Sequence, residues 1–302
     1  MRKLFLLGLL ASVAAGCVDS HEAGGEAAAP EAAAVADGPD ATGVLAATAT
    51  RDDNLAMGNP SGATTSTSNR NNFLMVKPQY TLSYNDSRGA ANWVSWHLST
   101  AWKGSAPRSS SFKTDTSLPT GFLRVGTSFY TNSGFDRGHL CPSEDRDGSA
   151  ADNAATFLMT NIAPQAPDSN RATWKELETY ARTLMTAGNE LYIMAGGRGA
   201  GGEGTNGTAS SLHAGDVTVP SHFWKVLVVL PVGSNDVSRV SSSTRVIAVD
   251  VPNNQSVDAQ SWGDFRVSVN ALEASTGFDF LSNVPTSIQS SIESAVDNGP
   301  IK

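Results

Sequence analysis

The chain has 302 residues, of which 40% are hydrophobic and 17% charged, with a formal net charge of -8. This composition supports one globular domain of roughly 250 residues, or two small ones, and excludes a chain that is disordered throughout. A uniformly acidic surface would repel nucleic acid, but the charge is unevenly distributed along the chain. The net charge therefore does not exclude a nucleic-acid partner.

The N-terminus has the layout of a secretory signal. Arg2 and Lys3 precede an apolar run from 4 to 15, and small residues end at Gly16 and Cys17. The run is too short for a permanent membrane-spanning helix of about 20 residues. Because "AAGC" is similar to a bacterial lipobox, we predict a signal peptide over 1–17 and an exported lipoprotein anchored to a membrane through lipidated Cys17. Secretion or a periplasmic location without lipid is the alternative.

Residues 18–53 differ in composition from the rest of the chain. They contain eight acidic residues and one arginine among Ala, Gly and Pro, and almost no branched apolar or aromatic residues. Such a segment cannot bury enough surface to offset its ordering entropy, so we predict a disordered acidic tether. A domain over 54–295 and a tail over 296–302 follow. Within 101–140 there are five basic and two acidic residues, so this part is locally basic.

The first predicted elements are strands. Apolar runs at 73–76 and 80–84 are separated by Pro78, and the residues at 92–99 alternate with period two. The segment 121–130 is a weaker strand candidate. The second half of the chain adds apolar, β-branched runs typical of buried strands and ends in a short helix within 262–277. These further strands are predicted at 190–197, 222–230 and 244–251.

The clearest predicted helix covers residues 170–188. Its apolar residues recur at helical spacing, Asn170 suits the N-cap, and Gly188 suits the stop. Trp174 could cover a polar face or join the core, and we favour the core. Because strands and helices do not alternate regularly, we predict an α+β fold with a central, mainly antiparallel sheet flanked by helices.

The segment "SGFDRGHLCPSEDR" (133–146) concentrates polar chemistry in a short stretch. Taken alone, it fits a surface turn in which Gly138 permits unusual dihedral angles. The downstream segment changes this interpretation, because it supplies Asn161, Asn170 and Glu178. On a helix, eight residues give a net rotation of about 80°, so Asn170 and Glu178 project to roughly the same side.

The segments "FDRGHLCPSEDR" (135–146) and "TNIAPQAPDSNRATWKELE" (160–178) together resemble the DNA/RNA non-specific endonuclease family. This family belongs to the ββα-metal, or His-Me finger, group. The resemblance spans about residues 54–295. It implies a ββα-metal finger active site and a Mg²⁺-dependent enzyme, with Mn²⁺ or another divalent cation as a substitute. It also implies cleavage of DNA and RNA, bound through phosphate contacts, to 5′-phosphate products.

The resemblance also implies roles for individual residues. His139 matches the general base, because a neutral imidazole can take a proton from water. Asn170 matches the single protein ligand of the metal. Glu178 matches the glutamate that hydrogen-bonds the waters of the metal.

The remaining motif residues surround these three. Arg137 and Arg108 match phosphate-binding and phosphate-stabilising arginines. Asn161 and Asp136 match supporting positions, with Asp136 fixing the loop. Arg171 departs from the family, which often has glutamine or a small polar residue there, so a phosphate contact and simple exposure both remain open.

Other functions are weaker. The histidines and Cys141 show no zinc-ligand spacing, and we read His97 as strand packing. The glycines of 195–207 lack a P-loop ending and predict a flexible surface loop. The alternative function is a catalytically silent lipoprotein of the same fold that binds nucleic acid or a partner. An enzyme restricted to DNA or to single strands is a third candidate. The sequence identifies no inhibitor or immunity protein.

Overall fold

The computed structural model describes residues 47–302. The predicted signal peptide, Cys17 and most of the predicted tether lie outside these residues. None of the helices in the described part is long and apolar enough to cross a membrane.

Within residues 47–302, seven strands form the main sheet, with every pairing antiparallel. The strands are β1 (Phe73–Val76), β2 (Thr81–Asn85), β3 (Ala90–Leu98), β4 (Asp136–His139), β5 (Ile162–Gln165), β6 (Asn189–Arg198), β7 (Gly202–Gly204), β8 (Gly207–Ala209), β9 (Ser211–Leu212), β10 (Val217–Thr218), β11 (His222–Pro231), β12 (Arg245–Pro252) and β13 (Arg266–Val267). Across the main sheet the strands follow the order β1-β2-β3-β6-β11-β12-β13. The helices are α1 (Ala150–Ala155), α2 (Trp174–Thr186), α3 (Asp236–Arg239), α4 (Val269–Thr276) and α5 (Thr286–Ile292). The predicted α+β class is confirmed.

The central strands are buried on both faces, which explains their continuous apolar runs. All nine residues of β3 are buried. Because side chains alternate across a strand, Trp96 joins one apolar core and Trp93 the other. Helix α2 packs on the Trp96 face through Trp174 and Leu177, so the preference for Trp174 in the core agrees with its burial. We call this side the α2 face.

Three local predictions were wrong. Residues 121–130 form no strand, and Thr127–Tyr130 is a 3-10 turn. The glycine-rich segment is also not simply a loop, because β6 continues to Arg198 and β7 pairs with β8. Position 196 of β6 requires glycine, because a Cβ there would lie only 2.6 Å from Trp224 Cζ2. Third, Asn170 is no N-cap, since helical backbone already begins at 167.

Both ends of the domain contact the main body. Ser99 Oγ donates a hydrogen bond to the carbonyl of Thr50, and Arg51 Nε donates to the carbonyl of Ala101 at 2.9 Å. These contacts begin ahead of the predicted domain start at 54. In the tail, Asp297 accepts hydrogen bonds from Arg245. The packed unit thus extends beyond the predicted boundaries at both ends.

Candidate active site

The "DRGH" motif forms strand β4, which pairs with β5 in a two-stranded antiparallel ribbon. Because side chains alternate along a strand, Arg137 and His139 project from one face and Gly138 from the other. Gly138 is not required for a turn, since its φ is not positive. A Cβ at this position would instead overlap the side chain of Gln165. The predicted turn is therefore wrong, and the strand geometry places the arginine and the histidine side by side.

After β5 the chain enters a π-helical turn, Ser169–Thr173, that leads into α2. Strand, strand and helix thus form the predicted ββα unit. Asn170 lies in the π-helical turn, a feature that often occurs at functional sites. Asn170 Nδ2 donates a hydrogen bond to Asp136 Oδ2 at 2.8 Å. Asp136 therefore links β4 directly to the Asn170 amide, which is a more specific role than fixing a loop.

A cavity of about 330 Å³ brings together the predicted catalytic residues and the predicted metal ligand. We call it the active-site cavity; its lining includes Arg108, Arg137, His139, Asn170 and Glu178. These residues come from separate parts of the sequence, so only the tertiary fold brings them together. The larger cavity, of about 710 Å³, borders the other side of Arg171 and Lys175 and contains none of the five.

His139 is 9% exposed and packs against two aromatic rings. The Phe157 ring centroid lies 4.7 Å from the imidazole centroid and the Phe112 centroid 5.5 Å from it. Burial, followed by the nearby Arg108 cation, lowers the pKa of His139 to about 3. The imidazole is therefore neutral near physiological pH. Its Nε2 is buried and has no hydrogen-bond partner within residues 47–302.

The arginines around His139 are held by aromatic rings. The Arg137 guanidinium lies 4.4 Å from the Phe112 ring centroid, and the Arg108 guanidinium lies 5.1 Å from that of Phe157. Arg108 also donates a hydrogen bond to Ser143 Oγ. These contacts orient both guanidinium groups at the cavity that His139 lines.

Asn161 does not line the active-site cavity. It is fully buried, and its amide accepts a hydrogen bond from the Cys141 N–H and donates one to the Cys141 carbonyl, both at 2.9 Å. These two bonds hold the chain two residues after His139. Asn161 thus supports the end of β4 through these two bonds.

Several lining residues were missed from the sequence. Arg182 lies one helical turn after Glu178, and this spacing of four residues could have identified it. Its guanidinium pairs with Glu144 Oε2 at 2.7 Å and Asp145 Oδ1 at 3.0 Å. Lys175 and Ser143 also line the cavity. Ser143 belongs to the quoted segment 133–146 and begins a 3-10 turn four residues after His139, so its place in the motif was the signal that could have found it.

Arg171, whose role the sequence left open, is exposed at the cavity rim. Its side chain is 70% exposed and its guanidinium pairs with Asp136 Oδ1 at 2.6 Å. The residues that line the cavity include five cationic and two acidic side chains. An excess of positive charge in a concave site favours an anionic ligand such as a phosphate group.

The donor set of the cavity suits a hard divalent cation. Because the Asn170 amide nitrogen faces the Asp136 carboxylate, its amide oxygen is left for the cavity. Glu178 contributes a carboxylate that is 14% exposed. Oxygen donors of these kinds suit Mg²⁺, which keeps most of its waters when bound to proteins.

A second group of side chains could in principle hold a cation: Asp52, His97 and Glu190. The Asp52 N–H donates to His97 Nδ1 at 3.2 Å, so a neutral ring carries its proton on Nε2. That nitrogen lies 3.3 Å from Glu190 Oε2. A cation on Nε2 would need the proton on Nδ1, where the backbone N–H already points. The contact of Nδ1 with the Asp52 N–H therefore does not favour a metal ion on Nε2.

Comparisons with known proteins agree with this geometry. The family model described as DNA/RNA non-specific endonuclease matches residues 57–287. A nuclease from Nostoc sp. is 50% identical over 244 residues, covering 81% of this chain and 86% of the relative. Mitochondrial endonuclease G from Bos taurus is 29% identical and 70% of each chain is covered. The crystal structure of the EndoG/EndoGI complex matches with a TM-score of 0.63 and 25% identity, covering 77% of this chain and 91% of that one. The chain therefore belongs to the DNA/RNA non-specific endonuclease family.

Proposed function

We propose that the enzyme hydrolyses phosphodiester bonds of DNA and RNA in a Mg²⁺-dependent reaction that leaves 5′-phosphate ends. The observation that carries the proposal is the convergence of His139, Asn170, Glu178, Arg137 and Arg108 on one cationic cavity. Mn²⁺ or another divalent cation can replace Mg²⁺, because the donors are hard oxygens without a rigid cage.

His139 takes the proton of the attacking water in this mechanism. Its position beside Arg137 on β4 allows one face of the ribbon to hold the phosphate and the water together. A pKa of about 3 makes a weak base, and Arg108 contributes to that lowering. A phosphate anion bound by the arginines would add negative charge near the imidazole and raise its basicity in the complex.

Arg137 and Arg108 bind and orient the phosphate through their guanidinium donors and stabilise the charge that develops on it. Asn170 and Glu178 would hold a divalent cation, Asn170 through its amide oxygen and Glu178 through the waters of the cation. When bound, such an ion supplies a Lewis acid for the phosphate and its leaving oxygen. Asp136 orients the Asn170 amide for this purpose.

The test is digestion of plasmid DNA and of RNA by the purified protein with Mg²⁺, with EDTA, and with the His139→Ala variant. We expect cleavage with Mg²⁺, none with EDTA, and a rate lowered by about 10²–10⁴-fold in the variant. End-labelling of the products identifies 5′-phosphates. Absence of Mg²⁺-dependent nicking, or an unchanged rate for His139→Ala, would refute the proposal and favour a silent binding protein. Comparing duplex DNA, single strands and RNA separates a non-specific enzyme from a restricted one.

We further propose that the enzyme is exported and anchored by lipid on Cys17. The proposal rests on the basic start, short apolar run and "AAGC" of the first seventeen residues. Metabolic labelling with a fatty-acid analogue should mark the native protein, and Cys17→Ser should remove the label. An unlabelled native protein in the soluble fraction would contradict the anchor.

A further inference from the structure

Lys225 is a lysine in the middle of the hydrophobic sheet. It lies on β11 and pairs with Ala195 of β6 on one side and Val249 of β12 on the other. Its exposure is 1%. An unpaired ammonium in such a place costs several kcal/mol, so its presence calls for a partner.

The partner lies on the α2 face. Alternation along β11 places Lys225 on the same side as Phe223 and Leu227, which pack in the core with helix α2. The ammonium lies 4.1 Å from the Trp174 ring centroid and 5.7 Å from that of Trp96. Two indole rings therefore surround the charge and restrict its movement.

The same ammonium lies 3.6 Å from Glu178 Oε1. Glu178 lines the active-site cavity, so its carboxylate lies between a buried cation on one side and the cavity on the other. Glu178 is itself poorly solvated, and burial raises its pKa to about 7 against the opposing effect of Lys225. Asp145, Arg182 and Glu144 are the other charged groups that act on it.

Hydrogen bonds fix this arrangement from a second direction. Trp96 Nε1 donates to Asp145 Oδ2 at 2.9 Å, and Arg182 Nη1 donates to Asp145 Oδ1 at 3.0 Å. Arg182 and Glu178 lie on successive turns of α2. The Glu178 carboxylate is consequently flanked by two cations, of which Arg182 is already engaged by Asp145 and Glu144, whereas Lys225 has Glu178 as its ion-pair partner.

We propose that Lys225 is a positioning residue of the nuclease, whose buried ammonium binds one oxygen of the Glu178 carboxylate and so fixes the carboxylate at the edge of the cavity, where it can accept hydrogen bonds from the waters of a divalent cation. The inference rests on the proposed function of Glu178 and adds a residue that does not touch the substrate or the cation. An aliphatic side chain at position 225 would fill the same space without orienting the carboxylate.

The experiment measures Mn²⁺ binding to the purified protein without nucleic acid, by electron paramagnetic resonance of free Mn²⁺. The variants are Lys225→Met, Glu178→Gln and the double variant, with Leu227→Ala as the matched control from the same face of β11. We expect Lys225→Met to weaken Mn²⁺ binding by about 10–100-fold. Glu178→Gln should weaken Mn²⁺ binding by a similar factor. The double variant should bind Mn²⁺ as tightly as Glu178→Gln does, because Lys225 acts through Glu178. Leu227→Ala should lower the melting temperature and keep the native Mn²⁺ affinity.

Cleavage kinetics provide a second readout. Lys225→Met should raise the Mg²⁺ concentration for half-maximal cleavage while the rate at saturating Mg²⁺ stays within about threefold of the native rate. Native Mn²⁺ affinity in Lys225→Met, or in Glu178→Gln, would overturn the inference. An additional tenfold loss in the double variant relative to Glu178→Gln would also overturn it.

Two further outcomes are separable. If Lys225→Met alone fails to fold, as judged by circular dichroism, Lys225→Gln replaces it, because this change removes the charge and keeps a polar group in the same space. A 10–100-fold loss of Mn²⁺ affinity in Lys225→Gln then supports the inference and a native affinity refutes it. A native protein without Mg²⁺-dependent cleavage refutes the proposed function itself, whereas an active native protein with an unaffected Lys225→Met refutes only the role of Lys225.

Discussion

Two clusters of buried ionisable side chains lie on opposite faces of the central sheet. On the α2 face, Lys225 and Glu178 adjoin the active-site cavity. On the other face, His97 of β3 and Glu190 of β6 are both fully buried, and Glu190 Oε1 accepts hydrogen bonds from Arg239 and from a backbone N–H. We call His97, Glu190 and Arg239 the His97 cluster.

The two clusters differ in what they border. In the His97 cluster Glu190 Oε1 accepts hydrogen bonds from protein groups, Glu190 Oε2 lies 3.3 Å from His97 Nε2, and Asp52 covers the histidine through its backbone N–H. On the α2 face, Glu178 borders a cavity that can admit water and a ligand. Buried charge alone therefore does not identify a catalytic site. A buried charged group that also borders a cavity lined by functional side chains is a stronger indication of a catalytic site.

The largest effect that tests this comparison is expected from Glu190→Ala. The change removes the carboxylate beside His97 and one of the two carboxylate partners of Arg239, which keeps Asp236, so the free energy of unfolding should fall by about 3 kcal/mol, the lower end for a broken buried pair. The rate of DNA cleavage, measured at a temperature where the variant remains folded, should be close to native. Urea denaturation gives the stability, and Glu203→Ala, an exposed acidic site, is the control. A folded but inactive Glu190→Ala protein would show that the His97 cluster also serves catalysis.

An intermediate effect is expected from Asp136→Ala. Asp136 orients the Asn170 amide, so its loss should weaken apparent Mg²⁺ affinity by about 10–100-fold, with a smaller change in stability than that of Glu190→Ala. Titration of cleavage rate against Mg²⁺ measures this. Arg171→Ala is the matched control, because it removes the other partner of Asp136 and keeps the bond to Asn170. Equal Mg²⁺ dependence in Asp136→Ala and the native enzyme would rule out this role.

The third effect is a pH dependence of stability that arises from His139. Its pKa in the folded protein is about 3, against about 6.5 in an unfolded chain, so between these values the unfolded state binds more protons. The stability of the native protein relative to His139→Gln is therefore fully present above pH 6.5 and is lost as the pH falls toward 3. Chemical denaturation should show that the stability of the native protein relative to His139→Gln is lower at pH 4.5 than at pH 7.5. A difference that is independent of pH would contradict a buried neutral His139, and His213→Gln, at an exposed site, controls for the substitution.

Local sequence patterns determined much of the fold. Apolar, β-branched runs predicted the central strands within one or two residues, because such side chains suit a sheet that is buried on both faces. Helical spacing and Gly188 predicted the end of α2, where Gly188 adopts a φ of +91°. Polar residues in tight clusters, with the family resemblance, predicted five of the residues that line the active-site cavity.

Long-range contacts decided the rest. Gly138 looked like a turn residue because glycine tolerates many conformations. Glycine is required there for a different reason, because the Gln165 side chain across the β4–β5 ribbon occupies the space that a Cβ would need. Asn170 looked like a helix cap, and the π-helical turn with Asp136 gives its amide a different partner. Lys225 within "HFWKVLVVL" carries no local sign of its partner. Its ion pair with Glu178 forms only when β11 and α2 pack together, because the cost of burying a charge depends on tertiary neighbours that sequence spacing does not encode.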